Sequence, residues 1–253
     1  MGKLSFTLFI PALNEADAMR QIMPRVKREW VDQILVVDGG SSDDTVEYSR
    51  SQGFDVYVQK QKGLRYAYKE GWPLIRGEAV VTFSPDGNSI PELIPELIDK
   101  MNEGYDMVIA SRYLGPAKSY DDNWLTGFGN WFCTQVLVNG LHGSHLTDAM
   151  GMYRAYKKQL FYDLDIDKDE SYATEKLFFT TIGCEPLISA RAAKCRLNVT
   201  EIPGDEPRRI GGKAKLRVIQ WGGALFTQVI REAWHWKKRR HSAKEGTVPS
   251  LTK

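Results

Sequence analysis

The sequence is short of three things. Its 253 residues include only three cysteines, Cys133, Cys184 and Cys195, none in CxxC spacing. So few thiols, odd in number, argue against a disulfide framework or a zinc ribbon and fit a reducing, cytoplasmic compartment. Net charge is also scarce, since 34 Lys and Arg face 32 Asp and Glu for a formal +2. No global field steers such a chain to nucleic acid, and arguments from charge have to be local. Long apolar runs are missing too. No stretch reaches the roughly eighteen apolar residues of a membrane-spanning helix. The apolar start, Lys3 to Ala12, has no basic run before it and leads into Leu13-Asn14-Glu15, so it reads as a first strand rather than a signal peptide.

What is present suits a single α/β domain with a small appendage, because 42% hydrophobic residues at this length can bury a real core without staples. Up to about residue 115, short β-rich runs alternate with amphipathic stretches, the pattern of a mainly parallel sheet flanked by helices. The strands expected are Phe6 to Ile10, Gln33 to Asp38, Asp55 to Gln59, Ala79 to Ser84 and Met107 to Ala110. Leu93, Leu97 and Met101 share one helical face, with Pro91 suited to a first turn. Beyond Tyr113 the reading gives helical stretches around Arg154 to Tyr162 and Ser171 to Ile182, then an extended run from Arg196 to Ile202. A last helix is expected from about Lys215 to Trp236, and a polar, disordered tail follows.

Each early strand ends in polar or glycine-containing sequence, which matters because open α/β sheets bind ligands beyond the carboxyl ends of their strands. Asp38 heads the run Gly39-Gly40-Ser41-Ser42-Asp43-Asp44-Thr45, which serves equally as a ligand-binding turn or as ordinary βα-turn chemistry; it is not a GxGxxG fingerprint. Asp86-Gly87-Asn88 places two oxygen-bearing side chains at i and i+2. These are hard ligands suited to Mg²⁺ or Mn²⁺, although a plain Pro-Asp-Gly turn has the same sequence. Arg65, Arg112, Arg154 and the cluster Arg208, Arg209, Lys213 and Lys215 around Gly211-Gly212 could grip phosphate or simply be solvated.

The order of these segments resembles family 2 glycosyltransferases of the GT-A fold, and within them the polyprenyl-phosphate (dolichol-phosphate) sugar transferases. The match runs from Pro11-Ala12-Leu13-Asn14-Glu15 through Asp38 to Thr45, Lys62-Gly63-Leu64, Asp86-Gly87-Asn88 and Ala110-Ser111-Arg112-Tyr113. It continues with Asp148, Arg154, Glu175, Glu201-Ile202-Pro203 and Arg209-x-x-Gly212-x-x-Lys215. Asn88 stands where that family has a second metal-motif Asp, so a weaker metal site, or a metal recruited mainly with the diphosphate, is expected.

The resemblance implies a Rossmann-like GT-A domain over 1–213, an amphipathic, membrane-interfacial helix over 214–240 and a tail over 241–253. It implies an inverting transfer from a UDP- or GDP-linked sugar to a polyprenyl phosphate, with Mg²⁺ or Mn²⁺ as cofactor. Nucleotide-sugar contacts would come from Pro11, Leu13, Asn14, Glu15, Asp38, Gly63, Arg65, Asp86, Gly87, Lys213 and Lys215, and metal ligands from Asp86 and Asn88. Arg112 and Arg154 would hold acceptor phosphate, and Asp148, Glu175 and Arg209 would be catalytic. Trp221, Trp234 and Trp236 before Lys237-Lys238-Arg239-Arg240 suit an interfacial helix at the cytoplasmic face of a membrane, with packing on the catalytic domain as the other reading. A saccharide or other hydroxyl acceptor, a non-catalytic nucleotide-sugar-binding subunit and homo-oligomerisation stay open.

Overall fold

The computed structural model describes residues 2–210 and 222–234. The early strands form as expected: β1 Phe6–Ala12, β2 Gln33–Asp38, β3 Asp55–Val58, β4 Ala79–Thr82 and β5 Met107–Ser111. Between them lie α1 Ala16–Ile22, α2 Thr45–Ser51, α3 Leu64–Gly71 and α4 Ile94–Asn102. Further along come α5 Trp124–Trp131, β6 Arg154–Lys157, α6 Leu160–Asp163, α7 Thr174–Phe178, α8 Glu185–Lys194 and β7 Val199–Pro203. One sheet of seven strands runs in the order β3-β2-β1-β4-β6-β5-β7. It is parallel except for β6, which is antiparallel to both β4 and β5.

Alternation along β1 explains why the sheet is covered on both faces. Phe6, Leu8 and Ile10 point into one core with Met19 of α1 and Leu97 and Met101 of α4. Phe9 points into the other, with Tyr68 of α3, Trp72, Tyr156 and Phe161. Trp72 stacks on Phe161 with ring centroids 4.3 Å apart and donates its indole N–H to the Lys158 carbonyl, so a large apolar body is buried with its polar atom satisfied.

The helical reading of Arg154 to Tyr162 is overturned. Arg154–Lys157 is a strand in the middle of the sheet, pairing Val81↔Ala155 on one side and Val108↔Ala155 on the other. Pairing with both neighbours outweighs the local preference, and helix begins only at Leu160. The expected helix over Ser171 to Ile182 is shorter, because α7 stops at Phe179, which has a left-handed φ of 50°.

Residues 222–234 are helical. Their buried side, with Ala224, Leu225, Gln228, Val229 and Glu232, packs against the rest of the chain, while Phe226, Ile230 and Trp234 stay exposed. Arg191 of α8 pairs with Glu232 at 2.8 Å, and Thr174 donates to the Gln228 side chain at 2.8 Å. The rest of the expected Lys215 to Trp236 helix lies outside the described residues.

Candidate active site

Strand order reverses direction at β1, whose neighbours are β2 and β4. The crevice beyond the carboxyl ends of β1 and β4 is therefore the switch point where such sheets bind ligands. On its β2 side two loops are laced together. Asn14, at φ 55°, accepts the Ser42 amide on Oδ1 at 2.8 Å and donates its own amide to Ser41 Oγ at 2.8 Å. The Glu15 and Ala16 amides donate to Thr45 Oγ1 and to Asp43 Oδ2. Asp38 is buried and accepts the Gly40 and Ser41 amides at 2.8 and 2.9 Å, so its carboxylate shapes this turn. Pro11 pairs in register with Val37, and Leu13 is exposed at the rim.

The metal-motif segment follows β4. Asp86 Oδ1 accepts from Ser84 Oγ at 2.7 Å and from the Asn88 amide at 3.1 Å, and Oδ2 lies 3.9 Å from Arg209. Asn88 donates its side-chain nitrogen to Asp121 at 3.2 Å, which turns Oδ1 the other way; that oxygen is buried and has no hydrogen-bond partner among the described residues. Gly87, at φ 98°, is required here, because a Cβ would come within 2.9 Å of Ile210. Ile210 donates its amide to the Asp86 carbonyl at 2.6 Å, closing the 206–210 segment over this loop. Arg209 grips Asp121 at 2.6 and 3.0 Å. Burial would raise the Asp121 carboxyl, but the bonds from Arg209 and Asn88 hold it below its ordinary pKa. No group of three His, Cys, Asp or Glu side chains poised for a metal exists among the described residues. The orphaned Asn88 oxygen and the outer Asp86 oxygen fit a hard cation that takes its remaining ligands from water and phosphate.

At the end of β5, Arg112 meets Asp148 side on, Nε to Oδ2 at 2.6 Å and Nη2 to Oδ1 at 2.9 Å. Asp148 is fully buried, and its Oδ1 also accepts the Met150 and Gly151 amides. Burial would raise its pKa, but the Arg112 charge and hydrogen bonds outweigh burial and hold it below the usual carboxylate range. Glu201 of β7 accepts the Thr147 and Asp148 amides at 2.7 and 2.9 Å and so fixes the backbone that carries Asp148. Arg154 corrects an expectation. It is fully buried, and it donates to the carbonyls of Gly151, Ala149 and Glu185 and to Ser189 Oγ. It braces the segment after Asp148 and has no free edge for an acceptor.

Gly63, at φ 120°, precedes α3, whose Arg65 is buried between the rings of Tyr66 and Tyr172, each centroid 4.5 Å away. Arg65 pairs with Glu175 at 2.9 Å and with Asp169 at 2.8 Å. Glu175 also accepts the Ile182 amide at 2.9 Å, and burial raises its pKa despite these partners. The fold thus joins Arg65 and Glu175 as an internal ion pair. Lys213 and Lys215 lie outside the described residues.

Residues 7–165 match the family described as glycosyl transferase family 2. The chain belongs to that family. This glycosyltransferase is 31% identical over 240 residues to the polyprenol monophosphomannose synthase of Mycolicibacterium smegmatis, covering 85% of this chain and 86% of the relative. It is 26% identical over 244 residues to the undecaprenyl-phosphate mannosyltransferase of Micrococcus luteus, covering 88% and 96%. Its fold is similar to that of glucosyl-3-phosphoglycerate synthase from Mycobacterium tuberculosis, a structure containing Mn²⁺, uridine diphosphate and glucosyl-3-phosphoglycerate. The TM-score is 0.62 at 16% identity, over 91% of this chain and 80% of that one.

Sequence reasoning missed Asp121 and Glu206 in this glycosyltransferase. Both act through partners far along the chain, Asn88 at a separation of 33 residues and Arg112 at 94. The doublet Asp121-Asp122 just before an Asn123 helix cap was the available signal.

Proposed function

We propose that the enzyme moves a sugar from a nucleotide sugar to a polyprenyl phosphate at a membrane surface. The observation that carries this reading is an apolar track leading away from the site. Asp121 is followed two residues later by the Asn123 cap, and α5 then exposes Trp124, Phe128 and Trp131 at 83%, 57% and 54%. Phe128 stacks on Phe132, and Phe132 on Phe226, with centroids 6.3 and 6.1 Å apart. From there an apolar groove of 740 Å³ opens between the π-helical segment Phe132–Gly140 and helix 222–234, lined by Leu137, Leu141, Ile230 and Trp234. Exposed aromatics contiguous with a site mark an apolar partner, and a lipid-borne acceptor supplies one. A small hydrophilic acceptor gives the track no purpose. Two relatives support the same reading, one named for making polyprenol monophosphomannose and one named as an undecaprenyl-phosphate mannosyltransferase.

The state of Asp148 agrees with a phosphate nucleophile. A hydroxyl acceptor needs a general base near neutral pH, and a carboxylate held below its ordinary range by Arg112 is a poor one. A lipid monophosphate is already largely ionised, with a second pKa of about 6. In the proposed step one phosphate oxygen attacks the anomeric carbon as the bond to the nucleoside diphosphate breaks on the opposite face, inverting the centre. Asp148 then serves to hold Arg112 for the acceptor. Asp86 and Asn88 would hold Mg²⁺ or Mn²⁺, which when bound neutralises charge growing on the leaving diphosphate. Arg209, Lys213 and Lys215 would add to that stabilisation. No described helix is long and apolar enough to cross a membrane. The exposed track and the basic run 237–240 would contribute to attachment.

The test supplies purified protein with Mg²⁺ or Mn²⁺, a panel of UDP- and GDP-sugars and polyprenyl phosphate in detergent. Lipid-linked sugar is the expected product. Transfer only to hydroxyl acceptors, or nucleotide-sugar binding without turnover, would overturn the reading.

A further inference from the structure

Arg112 is shared between two carboxylates. One cation faces Asp148 on one side and Glu206 on the other, with side chains 0% and 17% exposed. Glu206 lies on the Nη1 edge that an arriving phosphate would need, and its charge would oppose that phosphate. The two carboxylates are held unequally. Asp148 meets Arg112 at 2.6 and 2.9 Å and is fixed by backbone amides from its own loop. Glu206 reaches only Nη1 of Arg112, at 3.3 and 3.4 Å, near the limit of a hydrogen bond.

We infer that Glu206 is a displaceable counter-ion: it covers the Nη1 edge of Arg112 in the unliganded enzyme and yields that edge to the acceptor's phosphate. The inference rests on the proposed reading of Arg112 as the acceptor-phosphate contact. The exchange needs only a side-chain rotation. The backbone of Glu206 is tied on both sides to the 118–120 segment, its amide to the Lys118 carbonyl at 2.9 Å and its carbonyl to the Tyr120 amide at 2.8 Å. Ser119 Oγ already bonds the Glu206 carboxylate, and Arg209 lies within electrostatic range, so the released group keeps partners. Burial pushes the Glu206 carboxyl above its ordinary pKa despite Arg112, which marks an anion that its surroundings support poorly.

Such a counter-ion also makes Glu206 a specificity residue. A phosphate bearing up to two charges competes for the guanidinium edge, because charge-assisted bonds to phosphate are strong and geometrically specific. An uncharged alcohol offers no comparable replacement and leaves Glu206 in place. The site would therefore reject polyprenols that lack the phosphate.

The test is calorimetric titration of a C10 isoprenyl monophosphate into wild type, Glu206→Gln and Arg112→Met at constant pH and salt. Glu206→Gln keeps the size of the side chain and one acceptor oxygen for Ser119, and an unchanged melting temperature checks its fold. Removing the competing charge should tighten binding about tenfold, and Arg112→Met should abolish binding. In turnover assays the KM for the same phosphate should fall in Glu206→Gln, while the KM for the nucleotide sugar stays put. Unchanged or weaker binding in Glu206→Gln would overturn the inference and make Glu206 a mere support for Arg112. So would failure of both wild type and Glu206→Gln to bind. Tighter binding with no lipid-linked sugar formed from any donor would leave the exchange standing and defeat the transferase reading instead.

Discussion

At the scale of single residues, the chemistry turns on atoms that lack something. Asn88 Oδ1 is buried without a partner among the described residues because the amide nitrogen is turned toward Asp121. Replacing Asn88 with Asp would put two carboxylates where an amide now donates across 3.2 Å. Asn88→Asp is therefore expected to lower the melting temperature in chelator and to gain more from Mn²⁺ than wild type does. Its half-saturating metal concentration in turnover should fall by about tenfold, since ligand charge sets affinity in such sites. Equal melting shifts for the two proteins would show that Asn88 does not face the metal. The proposed metal motif was legible because Asp86 and Asn88 lie two residues apart on one turn. Glu206 was not, since nothing in its own segment reveals that Arg112, 94 residues away, leans on it. Arg154 misled for the converse reason: a charge read as phosphate-gripping is absorbed by carbonyls that only the folded chain brings together.

Among the elements, the early strands were readable because their apolar alternation and polar ends are local. The run Arg154–Lys157 was not, because its strand state depends on β4 and β5 on either side. Helix 222–234 packs one face on the rest of the chain through Arg191 and Thr174, as the packing reading expected, and leaves its other face exposed. His142 follows the π-helical segment and is 8% exposed, and neither ring nitrogen meets a hydrogen-bond partner among the described residues. Burial, helped by Lys194, lowers its pKa from 6.5 to about 4. A depressed folded-state value means that the unfolded chain binds the proton first. The stabilisation is thus present above pH 6.5 and is lost as pH falls toward about 4. His142→Leu should flatten that acid decline in urea-unfolding curves taken across this window. It should cost little at pH 7.5, where the neutral ring has no more than a marginal contact with the Val229 backbone to lose. An unaltered slope would mean that other groups cause the decline.

For the whole molecule, a near-zero net charge conceals a strong division of surface. Carboxylates and arginines are gathered at the strand ends, and aromatics run outward from them along α5 to helix 222–234. The triple variant Trp124→Ser, Phe128→Ser, Trp131→Ser should lower binding to anionic vesicles at least about tenfold, by area removed from lipid. Turnover of a detergent-dispersed C10 phosphate should hold within a few-fold. Loss of both would place the aromatics in the fold rather than at a membrane. The central claim, that a phosphate rather than an alcohol is the acceptor, is tested most directly in one vesicle assay. The enzyme is given its nucleotide sugar and equal amounts of polyprenyl phosphate and the matching polyprenol, with Asp86→Ala as the blank, and the lipid products are identified by mass spectrometry and NMR. The account predicts sugar on the phosphate alone, with inverted anomeric configuration and none from the blank; sugar on the polyprenol, or retained configuration, would contradict it.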